Sequence, residues 1–253
     1  MSATAISLIV VGCVLTGALL GALLRPVLPR HHLSDESKDI IKIGTGLIAT
    51  LVALVLGLLV ASAKSSFDTK SEEIRHGAAK IILLDRELRR FGPAAGQARL
   101  VLRRAVTFRL QQPWGETTLR LLGESPPAET ASIEDVEGRI RELSPANDNQ
   151  RWLQARALQL SADLSQARWL LVEEAGSAIS MPFLVVVVSW LAVIFASLGL
   201  FAPRNATVWV VIVFCAISVS TAVFLILELD RPFQGVITLS KEPLRDALAH
   251  LDQ

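Results

Sequence analysis

Two carboxylates and a guanidinium stand almost side by side in Glu228-Leu229-Asp230-Arg231, with Pro232-Phe233 directly after them. Hard carboxylate oxygens suit a cation, and an acid beside an arginine suits an ion pair with a neighbouring subunit. The plainer role is anchoring at a membrane interface with a local ion pair, and the spacing alone leaves all three open. No other constellation carries chemistry. The chain has no Gly-rich phosphate loop, no nucleophile elbow and no His-Glu-x-x-His, and neither a histidine nor a carboxylate inside an apolar stretch that could relay protons. It does not read as an enzyme, and no cofactor is expected. His31, His32, His76 and His250 are too scattered for a metal site, and the His31–His32 pair reads as a solvated loop. Cys13 and Cys215 both fall in apolar stretches, where they read as small packing residues.

The elements that must position the acidic pair are membrane helices. Residues 5–24, 43–63, 175–203 and 205–227 contain no Asp, Glu, Lys, Arg or His. Each is long enough, at ~1.5 Å per residue, to cross a ~30 Å hydrocarbon core as a helix. The first has no basic residue before it and no cleavage-site pattern after it, so it reads as a retained span rather than a signal peptide. The chain is therefore expected to be an all-α, four-pass membrane protein. Residues 1–63 hold the first helix pair with its connecting loop, 64–174 a helical polar block, 175–230 the second pair, and 231–253 a tail.

Four crossings put both termini and the 64–174 block on one side. Near the span ends that side carries Lys64, Lys70, Arg75, Arg168, Arg231, Lys241 and Arg245. The other carries Arg25, Arg30, Lys38, Lys42 and Arg204. The excess of basic residues predicts a cytoplasmic block and termini. Within the block, residues 64–120 hold twelve Lys/Arg against six Asp/Glu, whereas residues 121–174 hold five against ten. Basic and acidic helices packing together would explain the split; so would a basic half facing lipid phosphates or gathering anions near a pore mouth. The basic residues lack interleaved aromatics and sit beside spans, so nucleic acid is not expected as a partner.

Ser34-Asp35-Glu36 reads as a capped helix start, and no proline follows until Pro93. One helix can thus run through the second span into the block, with Gly44, Gly46, Gly57 and Gly77 as bending points. Past the membrane, Phe67, Ile74, Ile81 and Leu88 recur every seven residues, with Ala78 and Leu84 between them, as a buried seam. Gly92-Pro93 makes a turn, and 94–112 a second helix broken by Pro113-Trp114-Gly115; 115–130 is loop. Ser132 and Asp135 suggest a capping box opening a short helix that ends near Leu143. From Asp148 a further helix is expected to continue toward the third span, with Gly176 and Pro182 as kinks.

The second span carries small residues at every fourth position: Thr45, Ala49, Ala53, Gly57, Ala61 and Ser65. Four steps of ~100° drift ~40°, so the row is a ridge winding round the helix, the geometry through which helices approach closely in lipid. Cys13, Gly17 and Gly21 form a matching run in the first span. The ridge can serve packing within one subunit. It can equally make the second helix the element repeated about a symmetry axis, with Leu51, Val55 and Leu58 on a roughly opposite face lining an apolar throat that gates by dewetting.

Three runs resemble a bestrophin-like family of bacterial and plant membrane proteins whose domain carries no assigned function: His32-Leu-Ser-Asp-Glu-Ser-Lys38, Gly44-Thr-Gly-Leu-Ile-Ala-Thr50, and Val60-Ala-Ser-Ala-Lys-Ser-Ser-Phe-Asp68. So do Phe201-Ala-Pro-Arg-Asn-Ala-Thr207 and Leu227-Glu-Leu-Asp-Arg-Pro-Phe233. The likeness to true bestrophins is more distant: two spans, a helical cytoplasmic block, two spans, and an acidic-Pro-Phe motif. What it implies is a homo-oligomer, a pentamer in bestrophins, with ions passing along an axial pore lined by the second span. Its setting would be membrane lipid, here a bacterial inner membrane. After Phe233 the chain reads Gln-Gly-Val-Ile-Thr, without the acidic run that binds calcium in animal bestrophins, and the second span lacks their aromatic-rich neck. The resemblance therefore does not carry calcium gating or anion selectivity across. The competing expectation is a non-conducting scaffold or sensor whose cytoplasmic helices bind a partner.

Overall fold

The fold is all-helical in a computed structural model, which describes residues 2–29, 34–112, 132–173, 181–203, 205–233 and 235–252. The His31–His32 pair, the 115–130 loop with the break before it, Gly176 and Arg204 lie outside the described residues. Eight α-helices are described: α1 (Ala3–Leu24), α2 (Asp35–Phe91), α3 (Gly96–Gln111), α4 (Ile133–Arg141), α5 (Asp148–Glu173), α6 (Met181–Phe201), α7 (Ala206–Asp230) and α8 (Glu242–Leu251). Among them, α1, α2, α6 and α7 are long and apolar enough to cross a bilayer. Pro182 lies in the first turn of α6, where a missing N–H costs no helical hydrogen bond.

Two compact units share the chain: Met1–Ser66 with Ser177–Arg231, and Phe67–Gly176 with Pro232–Gln253. The first is the bundle of spans. Val10, Val14 and Ala18 of α1 pack against Val187, Leu191 and Phe195 of α6 and against Ala216 and Val223 of α7. The register fixes the helix directions. Gly17 faces Ala192, Gly21 faces Ala196, and the Arg25 guanidinium donates to the Ala202 carbonyl at 2.5 Å, so α1 and α6 run parallel. Ser220, late in α7, donates to the Ser7 carbonyl, early in α1, at 2.6 Å; Thr45, early in α2, donates to Ser197, late in α6, at 3.1 Å. Thus α2 and α7 run against α1 and α6, as alternate crossings require.

The second unit has its own core. Ile74, Ala78, Leu84 and Leu88 of the α2 seam are buried, with Phe67 and Ile81 half-buried beside them. Gly92, at φ 113°, turns the chain out of α2 in a left-handed conformation open to glycine, and the Pro93–Ala95 3-10 turn leads into α3. Buried Asp85 accepts from Arg89 at 2.8 Å and from Arg99 Nε at 2.7 Å, tying α2 to α3. At the start of α4, the Asp135 amide donates to Ser132 Oγ at 3.3 Å while Asp135 Oδ2 accepts from the Ser132 amide at 2.8 Å: a complete capping box. The end of the chain is part of this core, since Leu239, Leu244 and Ala247 pack against Ile74 and Ala78.

Candidate functional site on the second span

Helix α2 is covered by its own chain far less than the other three spans. Of its most apolar eighteen-residue window only 6% is buried, against 28–33% in α1, α6 and α7. The covered strip follows 3–4 spacing: Val52 is buried, and Ile48, Val55, Leu56 and Leu59 are half-buried against the bundle core. Opposite that strip, Leu47, Leu51, Leu54 and Leu58 are exposed, Leu58 to 68%. Leu51 and Leu58 therefore stand on the free face, whereas Val55, grouped with them by spacing, turns toward the core. The reason is angular: one residue in four overshoots a turn by ~40°, enough to carry Val55 over the edge of the strip.

The small-residue ridge crosses the same boundary. Thr45 is half-buried and bonded to Ser197, and Ala49 is half-buried too. Ala53, Gly57 and Ala61 are exposed, and a Cβ built on Gly57 would meet no heavy atom within 4 Å. By ~100° per residue they lie about a quarter turn from the free leucines, beside them and not opposite. In α1 the run divides differently: Cys13 is exposed, but Gly17 and Gly21 are in close contact with α6. A Cβ on Gly17 would stand 2.7 Å from the Ala192 carbonyl oxygen, and one on Gly21 1.9 Å from that of Ala196. Gly199 returns the contact, its Cβ position 1.9 Å from the Ala18 oxygen. This three-glycine interlock joins helices distant in the sequence, so the α1 spacing could show the close approach but not what it meets.

At the end of α7 the helix is enclosed on all sides. Residues 226–230 are all buried, including Glu228 at 3% and Asp230 at 1% exposure. Two carboxylates two positions apart lie on nearly opposite faces of the helix, and both are buried. Buried carboxylates are tolerated only with partners, and Glu228, Asp230 and half-buried Arg231 each engage one. Among the described residues no three His, Cys, Asp or Glu side chains converge as a metal site.

The Bestrophin-like domain family matches residues 11–244. The fold is similar to a crystal structure of a bacterial bestrophin homolog from Klebsiella pneumoniae carrying an isoleucine-to-threonine mutation. That match has 16% identity and a TM-score of 0.64, covering 96% of this chain and 99% of that one. A second structure of the Klebsiella pneumoniae homolog, phased on zinc, gives 16% identity and a TM-score of 0.61 over 94% of this chain and 96% of that one. No curated protein sequence gives a significant match. At such identity the likeness is one of fold, over nearly the whole length of both chains.

Proposed function

This chain belongs to the bestrophin-like family, and on that premise we propose that it is a homo-oligomeric ion channel, not an enzyme, whose second helix surrounds an axial conduit. The observation that supports the reading is the uncovered face of α2. In an oligomer, Ala53, Gly57 and Ala61 admit a neighbouring backbone, and the adjacent leucines, Leu51 and Leu58 among them, then turn toward the axis. An apolar ring of that kind resists wetting, and the wetting step limits flow. Five copies is the number that the resemblance to bestrophins favours; the setting is a bacterial inner membrane, with the termini and the second unit in the cytoplasm. The resemblance carries no ion preference, which the chloride and potassium arms of the flux measurement decide.

Liposome flux of chloride and of potassium, measured for wild type beside Leu58→Ser, tests this reading. The serine lowers the dewetting barrier without adding charge, so flux is expected to rise by several-fold with the preference among ions unchanged. A second reading, a scaffold whose cytoplasmic helices bind a partner, is favoured by Trp152, which is 59% exposed on α5. No flux from either protein, with the oligomer intact, selects the scaffold.

A further inference from the structure

Helix α5 turns one polar face toward α4. Gln154 Nε2 donates to the carbonyls of Ile140 and Leu143, at 2.9 Å each, where α4 ends. Further along the same face, Arg168 donates from its two terminal nitrogens to the carboxylate of Glu134, in the first turn of α4, at 3.0 and 3.2 Å. Ser161 and Ser165 lie between these two clasps. At ~100° per residue, spacings of seven, four and three bring Gln154, Ser161, Ser165 and Arg168 within a ~60° arc, so the serines face the strip that the clasps enclose. Ser161 is 0% exposed, and its Oγ, the Ser165 Oγ and Arg168 Nε are all buried with no hydrogen-bond partner.

A helical serine has an easy partner, because its hydroxyl can bond back to the carbonyl one turn earlier. Thr50, Thr107, Ser189, Ser218 and Thr221 all do so, at 2.8 to 3.0 Å. Ser161 and Ser165 make no such bond, although burial is where an unmet bond costs most. We propose that α4 and α5 hold ordered water between the two clasps, bridging Ser161 Oγ, Ser165 Oγ and the Arg168 Nε–H. Side chains three or four positions apart on a helix stand ~5–6 Å apart, the span that one water bridges with two bonds of ~2.8 Å. A buried water needs about two to four polar partners, and these three atoms supply them. Charge decides against an anion. Glu134 already balances Arg168, so an anion would be buried without compensation, whereas water both donates and accepts. The site is independent of whether the protein conducts.

The test is a crystal structure of the full-length protein grown with sodium bromide in place of chloride, at a resolution that shows ordered water. Density is expected at ~2.7–3.2 Å from at least two of the three atoms, without the anomalous signal of bromide. Thermal unfolding in detergent gives a second readout, on Ser161→Ala, Ser165→Ala and the double variant. Each single variant is expected to lose a few degrees. Where two hydroxyls share one water, removing either already loosens it, so the double variant should lose clearly less than the sum of the two. The helix preference of alanine adds equally to each step and cancels from that comparison. Three results each overturn the proposal: a bromide peak at the site, no density at the three atoms with the serines bonded back to the Ala157 and Ser161 carbonyls or left unbonded, and strictly additive shifts.

Discussion

Gly21 and Gly12 lie on the same helix and answer the same substitution in opposite ways. A methyl group at Gly21 lands 1.9 Å from the Ala196 carbonyl oxygen, and backbone cannot swing aside as a side chain can; one at Gly12 meets nothing within 4 Å. Gly21→Ala must therefore part α1 from α6, at the ~1–3 kcal/mol typical of overpacking. Gly12→Ala only removes backbone freedom, a gain of at most ~1 kcal/mol. Thermal unfolding in detergent is expected to show a clear fall for the first and no fall for the second. Equal midpoints would mean that α1 and α6 are not held at this separation. Glu228 and Asp230 make a related point about single residues. Their chemistry was legible in the sequence, but their burial was not, because it depends on what encloses the end of α7 and not on neighbours along the chain.

At the scale of the element, α2 is where sequence and structure inform each other most. Its length of 57 residues, or ~85 Å, follows from a capped start at Ser34 and the absence of proline before Pro93. Its buried seam beyond the membrane follows from a seven-residue repeat. Which side of its apolar part faces the bundle was not legible, since a helix apolar all round has no moment to orient it in lipid. Only contacts with the other spans reveal it, and they exchange Val55 for the exposed leucines Leu47 and Leu54. If the ridge of Ala53, Gly57 and Ala61 seats a second copy, Ala53→Leu and Gly57→Leu each push two backbones apart and forfeit the packing that holds helices together in a bilayer. Native mass spectrometry is expected to show smaller species for both. Intact oligomers in both would place this face against lipid. The same elements show where local signals suffice: the Ser132–Asp135 box and the Gly92-Pro93 turn depend on residues within a few positions of each other.

At the scale of the molecule, the helix directions and the charge balance bear on the same question. The parallel pair α1 and α6, with α2 and α7 running against them, brings the last turns of α1 and α6 and the first turns of α2 and α7 to one end of the bundle, where Arg25 reaches Ala202. With the basic excess on the opposite side, a reporter active only outside the cytoplasm should stay silent at the C-terminus and respond when inserted between Val27 and Ser34. The reverse pattern would invert the topology and move the second unit out of the cytoplasm. The glycine interlock has a mechanical consequence at this scale. Gly17, Gly21 and Gly199 act as the gaps of a rack into which the facing carbonyls fit, and the Arg25–Ala202 bond pins one end of it. Sliding either helix along the other would carry side chains into those gaps, so α1 and α6 move as a single strut. If the protein is the channel proposed above, any opening displacement falls to the helices without such teeth, α2 and α7, with the strut as the frame they move against.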